Sequence, residues 1–398
     1  MKVLVVHDQN TELPSGEAIV AQEEVKSLRA SGVDVRLHTV SGKPLEAMSH
    51  IEKGWTAANL LWSVPSARRI GRLVDEFRPD VVHFHSILPR LTPSAFWACQ
   101  RRGVPVVQTL HNFRWLCIEG GLYRRGAYCD DCIQHTALSG LYHRCARESV
   151  PLSALLTFMN ATYVRTGLLF RLVDGFVAVS NFVRDLYVRK GFPAERVHVK
   201  YNSVSVPEGV RVDGHRDGIA YAGRLHGAKG TAHLKRIMGA LRDVTFNVMG
   251  DGPDAEGLRD FVEKLGLRKV AFLGRVAPEA VQAVFSSAEC IVVPSVFGET
   301  LSRVALEAMS VGTPVVGSRI GGLGELLEGN AGAVAVDPAN SEEFVTAIGG
   351  IIGNREKVAT MGAAGREFVR QKASTDDSVK ALVAIYEQVI ARKGAGGG

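Results

Sequence analysis

Short apolar runs alternate with amphipathic stretches along the whole chain. Residues 3–7, 33–39, 81–85, 104–108, 175–179 and 197–200 read as strands in the first half. Residues 218–222, 244–249, 270–273, 290–293, 314–317 and 333–336 repeat the theme in the second. Helical spacing of apolar positions predicts helices over 18–30, 66–77, 93–101 and 182–190. It predicts others over 231–241, 255–265, 278–286, 302–310 and 341–352. Strands alternating with helices predict an α/β fold of parallel sheets covered on both faces. Two sheets of about six strands are expected rather than one of twelve. The break falls at Asn202-Ser203-Val204-Ser205-Val206-Pro207-Glu208-Gly209, where the pattern turns polar. The expected division is 1–202, then 203–375, with 376–398 a C-terminal helix and flexible tail. Within that tail, residues 393–398 read as disordered. Such doubly wound domains are expected to face each other, with the carboxyl ends of both sheets at one cleft.

A length of 398 residues agrees with two or three domains. With 46% hydrophobic residues and only six cysteines, neither disorder nor a disulfide scaffold fits. The apolar stretch 151–180 is cut by Asn160, Arg165, Arg171 and Asp174. That leaves no span of the roughly 20 apolar residues that a membrane helix needs. The run from Met1 to Asp8 is short for a signal peptide, so a first strand and a cytoplasmic location are expected. The net charge of +6 is uneven: residues 1–200 hold 25 Lys and Arg against 18 Asp and Glu, and the remainder 22 against 23. A basic half raises acidic partners, namely nucleic acid, an anionic membrane or a phosphorylated substrate. A soluble protein that is simply basic is the plainer reading.

Two segments could carry chemistry. Gly223-Arg224-Leu225 follows a strand, and Lys229-Gly230 opens a helix. A helix start with unpaired N–H groups and two added cations suits a diphosphate. It is not a Walker loop; two solvated cations are the simpler alternative. The second segment is Glu299-Thr-Leu-Ser-Arg-Val-Ala-Leu-Glu307, with seven residues between its acids. It follows the strand 290–293. With Ser302 opening a helix, both acids could face a ligand cleft. The plainer alternative is a helix-start acid and a solvated one.

The acidic segment, with Ala308-Met309 and Gly312-Thr313-Pro314-Val315-Val316 after it, resembles the signature of family-4 retaining glycosyltransferases of the GT-B fold. Further resemblances follow in order: Gly223-Arg224-Leu225 with Lys229-Gly230, Met249-Gly250-Asp251-Gly252-Pro253, Phe272-Leu273-Gly274-Arg275-Val276, and Gly321-Gly322 with Glu325. Ser15-Gly16-Glu17 and Val107-Gln108-Thr109-Leu110-His111-Asn112 match in the first half, as do Val179-Ser180 and Asn202. The matches run from about residue 3 to 336. The resemblance implies two Rossmann-like domains and a nucleotide-diphosphate sugar as donor. It implies Arg224 and Lys229 on the diphosphate and Glu307 on the ribose. Glu299 and His111 would meet the sugar, and Gly16 the phosphates. Arg275 and Val276 would meet the base, and Ser302 and Arg303 would complete the acidic motif. No Asp-x-Asp occurs, so catalysis without a metal is expected. Ser15 replaces the family's usual first glycine, and Leu301-Ser302 its usual Phe-Gly.

Four cysteines cluster as Cys117-x11-Cys129-x2-Cys132-x12-Cys145, an insert after His111. This spacing is compatible with structural zinc, disulfides or free thiols, and His135 or His143 could replace a ligand. The insert is expected to border the acceptor side. Around it Tyr123-Arg124-Arg125, Tyr142-His143-Arg144, Arg147, Tyr163-Val164-Arg165 and Leu168-Leu169-Phe170-Arg171 mix cations with apolar groups. Trp55, Trp62 and Arg68-Arg69-x-x-Arg72 could extend that surface. A sugar or lipid-linked acceptor and peripheral contact with an anionic membrane are expected. No nucleic-acid-binding motif accompanies the basic half.

Overall fold

The computed structural model describes residues 1–9, 16–43, 47–209 and 214–395. Ser15 lies outside the described residues. The chain divides into two compact units. The first contains Met1–Gly120, Asp130–Tyr201 and the chain from Asp376 on; the second contains Gly121–Cys129 and Asn202–Thr375.

The strands, in chain order, are β1 (Lys2–Gln9), β2 (Asp34–Ser41), β3 (Val81–Phe84), β4 (Val106–Leu110), β5 (Tyr123–Arg124), β6 (Ala127–Tyr128), β7 (Gly175–Ala178) and β8 (Val197–Val199). They continue with β9 (Ile219–Ala222), β10 (Phe246–Met249), β11 (Val270–Gly274), β12 (Cys290–Val293), β13 (Val315–Ser318) and β14 (Ala333–Val336). The first unit has a six-stranded parallel sheet in the order β2-β1-β3-β4-β7-β8. The second has one in the order β11-β10-β9-β12-β13-β14. β5 and β6 form a short antiparallel hairpin. Both large sheets reverse direction of growth beside their first strand, the arrangement that opens a crevice at the strands' carboxyl ends.

The central strands show no alternation of buried and exposed positions because helices cover both faces. β3, β4, β7, β12 and β13 are buried at every position. The edge strand β11 alternates partly buried and exposed residues. Side-chain caps fix several helix starts: Ser180 accepts from the Val183 N–H, and Ser63 from the Ser66 N–H, with proline in that helix's first turn.

Helix Thr375–Ala395 returns to the first unit and covers its sheet. Leu382, Ile385, Tyr386 and Val389 join Val3, Val5, Val107 and Val177 in one core. Residues 393–395 are helical, contrary to the flexible tail expected; 396–398 lie outside the described residues. The helix persists because Lys393 Nζ reaches Asp174 Oδ1 at 3.0 Å, and Arg392 and Lys393 suit the negative end of the helix dipole. The π-turn Ala161–Arg165 and the helix Val150–Asn160 occupy the apolar stretch. Tyr163 and Leu169 there are buried, so they belong to the core and not to the surface patch expected from the sequence.

One close approach in the second sheet leaves room for no side chain. Gly250, just after β10, has φ +129°, and a Cβ on it would lie 1.8 Å from the Gly223 carbonyl oxygen. Gly250→Ala is expected to lower unfolding free energy by at least about 3 kcal/mol, strain and clash together. Chemical denaturation of the full chain measures it, and an unchanged midpoint would contradict this packing.

Candidate active site

In the second unit, the loops after β9 and β12 meet. β9 leads through Gly223 into a 3-10 turn, Gly227–Lys229, and then into helix Thr231–Ala240. Gly230 caps that turn at φ +79°, where a Cβ would stand 1.8 Å from the Pro294 carbonyl oxygen. The Val296 N–H donates to the Ala228 carbonyl at 2.9 Å, fastening one loop to the other. This contact fixes the lysine that precedes Gly230. Lys229 Nζ lies 2.7 Å from Glu299 Oε1 and 4.6 Å from the centre of the Phe297 ring. The Ser295 hydroxyl donates to the same Glu299 oxygen. The Gly322 N–H donates to the Glu299 carbonyl at 2.7 Å, which ties in the loop after β13.

Glu299 is 4% exposed, whereas the Lys229 side chain keeps 35% exposure. Burial pushes the Glu299 carboxyl up. The Lys229 ammonium and the Ser295 and Ser302 hydroxyls outweigh it and hold the carboxyl below its ordinary range. Ser302 is buried and precedes helix Arg303–Ser310. Arg303 Nε donates to Glu307 Oε1 at 2.7 Å, one turn along that helix. Arg224 is exposed on the loop after β9; Arg275 is exposed and Val276 half-buried after the edge strand β11. None of these three joins the Lys229–Glu299 pair.

Part of the cysteine insert also belongs here. The hairpin β5–β6 lies in the second unit, where the Gly298 N–H donates to the Gly121 carbonyl at 3.1 Å. The Tyr123 ring meets His226 edge-on at 6.2 Å. This portion of the insert packs on the loops that follow β9 and β12.

In the first unit, His111 follows β4 and is buried. Its Nε2 lies 2.8 Å from His85 Nδ1, and the two rings stack. Burial, then His85, pushes His111 down to about 3, so its ring is neutral near pH 7. Glu17 accepts from Ser86 and from Asn112, the latter at 3.2 Å. Gly16 is exposed at the first position of helix Gly16–Ala30. Behind His111 sits a buried polar group that sequence reasoning missed: Glu24, His83, His85, Lys200 and Tyr386. A signal existed. Val81-Val82-His83-Phe84-His85 places two histidines two apart, on one face of a strand otherwise apolar.

Glu24, His83 and His85 are close enough together to hold a metal ion. The partners argue against one. Lys200 Nζ donates to Glu24 Oε1, and Tyr386 and His111 engage the Nδ1 atoms of His83 and His85. A cation there would sit against a buried ammonium.

None of the four clustered cysteines is disulfide-bonded, nor are Cys99 and Cys290, which lie fully in the core. The disulfide alternative does not occur in this structure. Cys117 and Cys132 are buried, and their thiols share a hydrogen bond. Cys145 lies within electrostatic reach of Cys132. Cys129 falls in the segment grouped with the second unit.

Two family descriptions match this chain: "Glycosyltransferase Family 4" over residues 14–207 and "Glycosyl transferases group 1" over residues 216–354. The chain belongs to the family-4, group-1 glycosyltransferases. An uncharacterized glycosyltransferase of Methanocaldococcus jannaschii is 33% identical over 176 residues, 42% of this chain and 44% of that protein. The chain thus spans less than half the length of that relative. The 2-deoxystreptamine N-acetyl-D-glucosaminyltransferase of Streptomyces fradiae is 28% identical over 371 residues, 89% of this chain and 80% of that one. Among solved structures, Anabaena HepE in complex with UDP aligns with a TM-score of 0.65 at 18% identity, covering 99% of this chain and 100% of that one. That likeness establishes the GT-B fold for this family-4 chain.

Lys229→Met in this glycosyltransferase-family protein leaves Glu299 buried without its cation, and its carboxyl then rises above the unfolded value. Stability is expected to drop by about 2 kcal/mol at pH 8, less than the roughly 3–5 of a fully buried pair because Lys229 is partly exposed. In the parent the depressed carboxyl contributes stability above the unfolded carboxylate range, and that contribution is lost as pH falls through the folded value. In the variant the sign reverses, so its deficit shrinks from pH 8 to pH 5. Paired unfolding curves at the two pH values read this, and a pH-independent deficit would contradict the ion pair.

Proposed function

We propose that the protein transfers a sugar from a nucleotide-diphosphate sugar to a hydroxyl acceptor, with retention at the anomeric carbon and without a catalytic metal. The observation that supports it best is the Lys229 ammonium, 2.7 Å from a buried carboxylate on the loops after β9 and β12. Negative charge grows on the departing diphosphate as the sugar–phosphate bond breaks. A cation about 4 Å from that charge is worth roughly 4 kcal/mol at an effective dielectric near 20. Lys229 is already held by Glu299 and Phe297, so it needs little reorganisation to meet that charge. Arg224, exposed on the same loop, adds a second cation. Glu307 takes the ribose, the Arg275–Val276 backbone the base, and Glu299 and His111 the sugar. The departing phosphate removes the acceptor proton, on the face that it leaves. Neither carboxylate is a covalent nucleophile.

Two acceptor classes have support. The name of the Streptomyces fradiae relative favours a soluble polyol acceptor. Exposed Trp55, Tyr142 and Phe158, near basic segments of the first unit, favour a lipid-linked acceptor in cell-surface polysaccharide or glycolipid assembly at an anionic membrane. No helix among the described residues is long and apolar enough to cross a membrane.

A panel of nucleotide sugars, assayed for nucleotide diphosphate release with both acceptor classes, tests the activity. Proton NMR of the product reads the anomeric configuration. At least one donor should turn over with retention, and Lys229→Ala should lower turnover by about 10²–10³. Inversion, a glycosyl–Glu299 adduct, or a near-normal rate in Lys229→Ala would overturn the mechanism.

We propose also that the cysteine insert binds a structural zinc. Cys117, Cys132 and Cys145 supply three thiolates from one unit, and tetrahedral zinc takes four ligands. The Gly120 N–H donates to the Cys117 sulfur, and the Gly140 and Ile118 N–H groups to Cys132. The Cys117 thiol, then the Gly140 and Ile118 N–H groups, hold the Cys132 thiol below its ordinary range, while Cys132 and then burial push the Cys117 thiol up. The helices around them, Asp131–Gln134 and Leu138–Tyr142, are too short to hold a core of their own. Protein purified without added metal should carry about one zinc per chain by elemental analysis. A zinc-free protein with four alkylatable thiols in this insert would refute it.

A further inference from the structure

The turn that presents Lys229 is fastened by a side chain of its own and by the hairpin of the cysteine insert. Residues 223–225 of the loop after β9 are tied to the sheet. The Tyr221 hydroxyl donates to the Arg224 carbonyl at 3.1 Å, and the Leu225 N–H to the Asp251 carbonyl at 3.0 Å. Residues 226–228 lie beyond those ties and lead straight into Lys229. There His226 is extended and caps the 3-10 turn, its Nδ1 accepting from the Ala228 N–H at 3.1 Å. This is the bond that Asn or Asp makes in an Asx turn, with an imidazole nitrogen in place of the side-chain oxygen. The Ala228 carbonyl accepts from the Val296 N–H at 2.9 Å. Both backbone polar groups of the residue before Lys229 are thus satisfied, one by His226 and one by the loop after β12.

The hairpin closes over this turn. Tyr123 meets the His226 ring edge-on at 6.2 Å, and its hydroxyl oxygen stands 3.1 Å from where a Cβ on Gly227 would be. The hairpin also reaches the second loop. The Gly298 N–H donates to the Gly121 carbonyl, and a Cβ on Gly298 would stand 2.9 Å from Leu122 Cβ and 3.2 Å from the Tyr128 ring. Gly298 immediately precedes Glu299, so one hairpin touches the loop of the lysine and the loop of the carboxylate. Glycine at 227 and 298 lets it come so close. Leu122 is fully buried at φ +52°, a left-handed conformation that a leucine keeps only where its surroundings enforce it.

We propose that His226 and Tyr123 are positioning residues: through them the hairpin of the cysteine insert holds the Lys229 turn against the Glu299 loop, and so sets how tightly a nucleoside diphosphate is bound. This rests on the reading that Lys229 meets the donor's diphosphate. The gain is preorganisation. A turn fixed at the residue before the lysine has little backbone freedom left to lose when the anion arrives, so less ordering entropy is subtracted from binding.

UDP, ADP, GDP and dTDP, titrated calorimetrically into the full chain, select the tightest as the probe. His226→Asn keeps an acceptor in the place of Nδ1, whereas His226→Gln moves it toward the place of Nε2. The Asn variant should bind the probe within about twofold of the parent, and the Gln variant about 10-fold more weakly. A role in packing alone would affect the two alike. Tyr123→Ala should also weaken binding about 10-fold. A Gln variant as tight as the parent, or an Asn variant as weak as the Gln one, overturns the role of His226; unchanged affinity in Tyr123→Ala overturns that of the hairpin. Residue-resolved amide hydrogen exchange reads the clamp without any ligand. The Ala228 N–H should be protected in the parent and in His226→Asn, and should exchange freely in His226→Gln. A freely exchanging Ala228 in the parent overturns the proposal even where no variant folds. A parent that binds none of the four diphosphates, or a Lys229→Ala chain that binds the probe as tightly as the parent, removes the diphosphate reading instead, and the exchange pattern still decides the clamp.

Discussion

Backbone touching backbone is the constraint on which the second unit depends. The loops that follow β9, β10 and β12 approach until a carbonyl oxygen of one occupies the space a Cβ of the next would need. Glycine at 230 and 250 makes that approach possible, and nothing larger fits. The consequence is positional. With Gly230 pinned under Pro294, the preceding Lys229 has little freedom in where its stem begins. Its ammonium therefore arrives at Glu299 and Phe297 without help from flexible segments. Close packing of chain turns thus becomes accuracy in the placement of one charge.

Each unit buries a carboxylate and neutralises it with a lysine, but to different effect. The Lys200–Glu24 pair is sealed, with both side chains at 5% exposure or less. It joins helix Gly16–Ala30, the chain after β8 and, through Ser378, helix Thr375–Ala395. A pair so enclosed has no route to a ligand, and its value lies in ordering the histidines around it. The Lys229–Glu299 pair is open on the lysine side. An open pair can exchange one partner: an arriving phosphate oxygen can replace the carboxylate at Lys229. Breaking the sealed pair would strand a charge, whereas opening the exposed one redistributes it.

Much of this could be read in the sequence, for physical reasons. The central strands of the two large sheets were legible because apolar runs in buried parallel strands carry little polar interruption, as in β12. Lys229 and Glu299, which the structure brings together, stood out because their loops carry glycine, proline and charge at fixed offsets. Helix His50–Asn59 was not, since none of its residues is buried and its apolar positions give no core-facing stripe. Helix Arg355–Lys372 escaped as well, because small residues such as Gly362 and Gly365 replace large apolar ones where it packs closely on the backbone of Gly312 and Gly332. Nothing in the sequence sets Glu24 apart from the other acids of its helix. Only the fold brings it to Lys200, 176 positions away, and no local pattern carries that distance.

The histidine group shows how a buried polar set can be specific without a metal. A neutral imidazole has one proton and two nitrogens, so each ring leaves a binary choice. In water that choice is made afresh by every neighbour. Here Tyr386 and Thr109 stand at hydrogen-bond distance from the two nitrogens of His83, and Glu24 and His111 face those of His85. His111, pushed down to about 3, is neutral and stacks on His85 within the same group. A low dielectric makes a wrong orientation costly, because an unpaired N–H or lone pair there finds no water. The proton pattern is therefore a property of the packing as firm as a rotamer. Charge enters the group as a matched pair, the Lys200 ammonium on the Glu24 carboxylate, and burial keeps that pair from exchanging either partner with solvent.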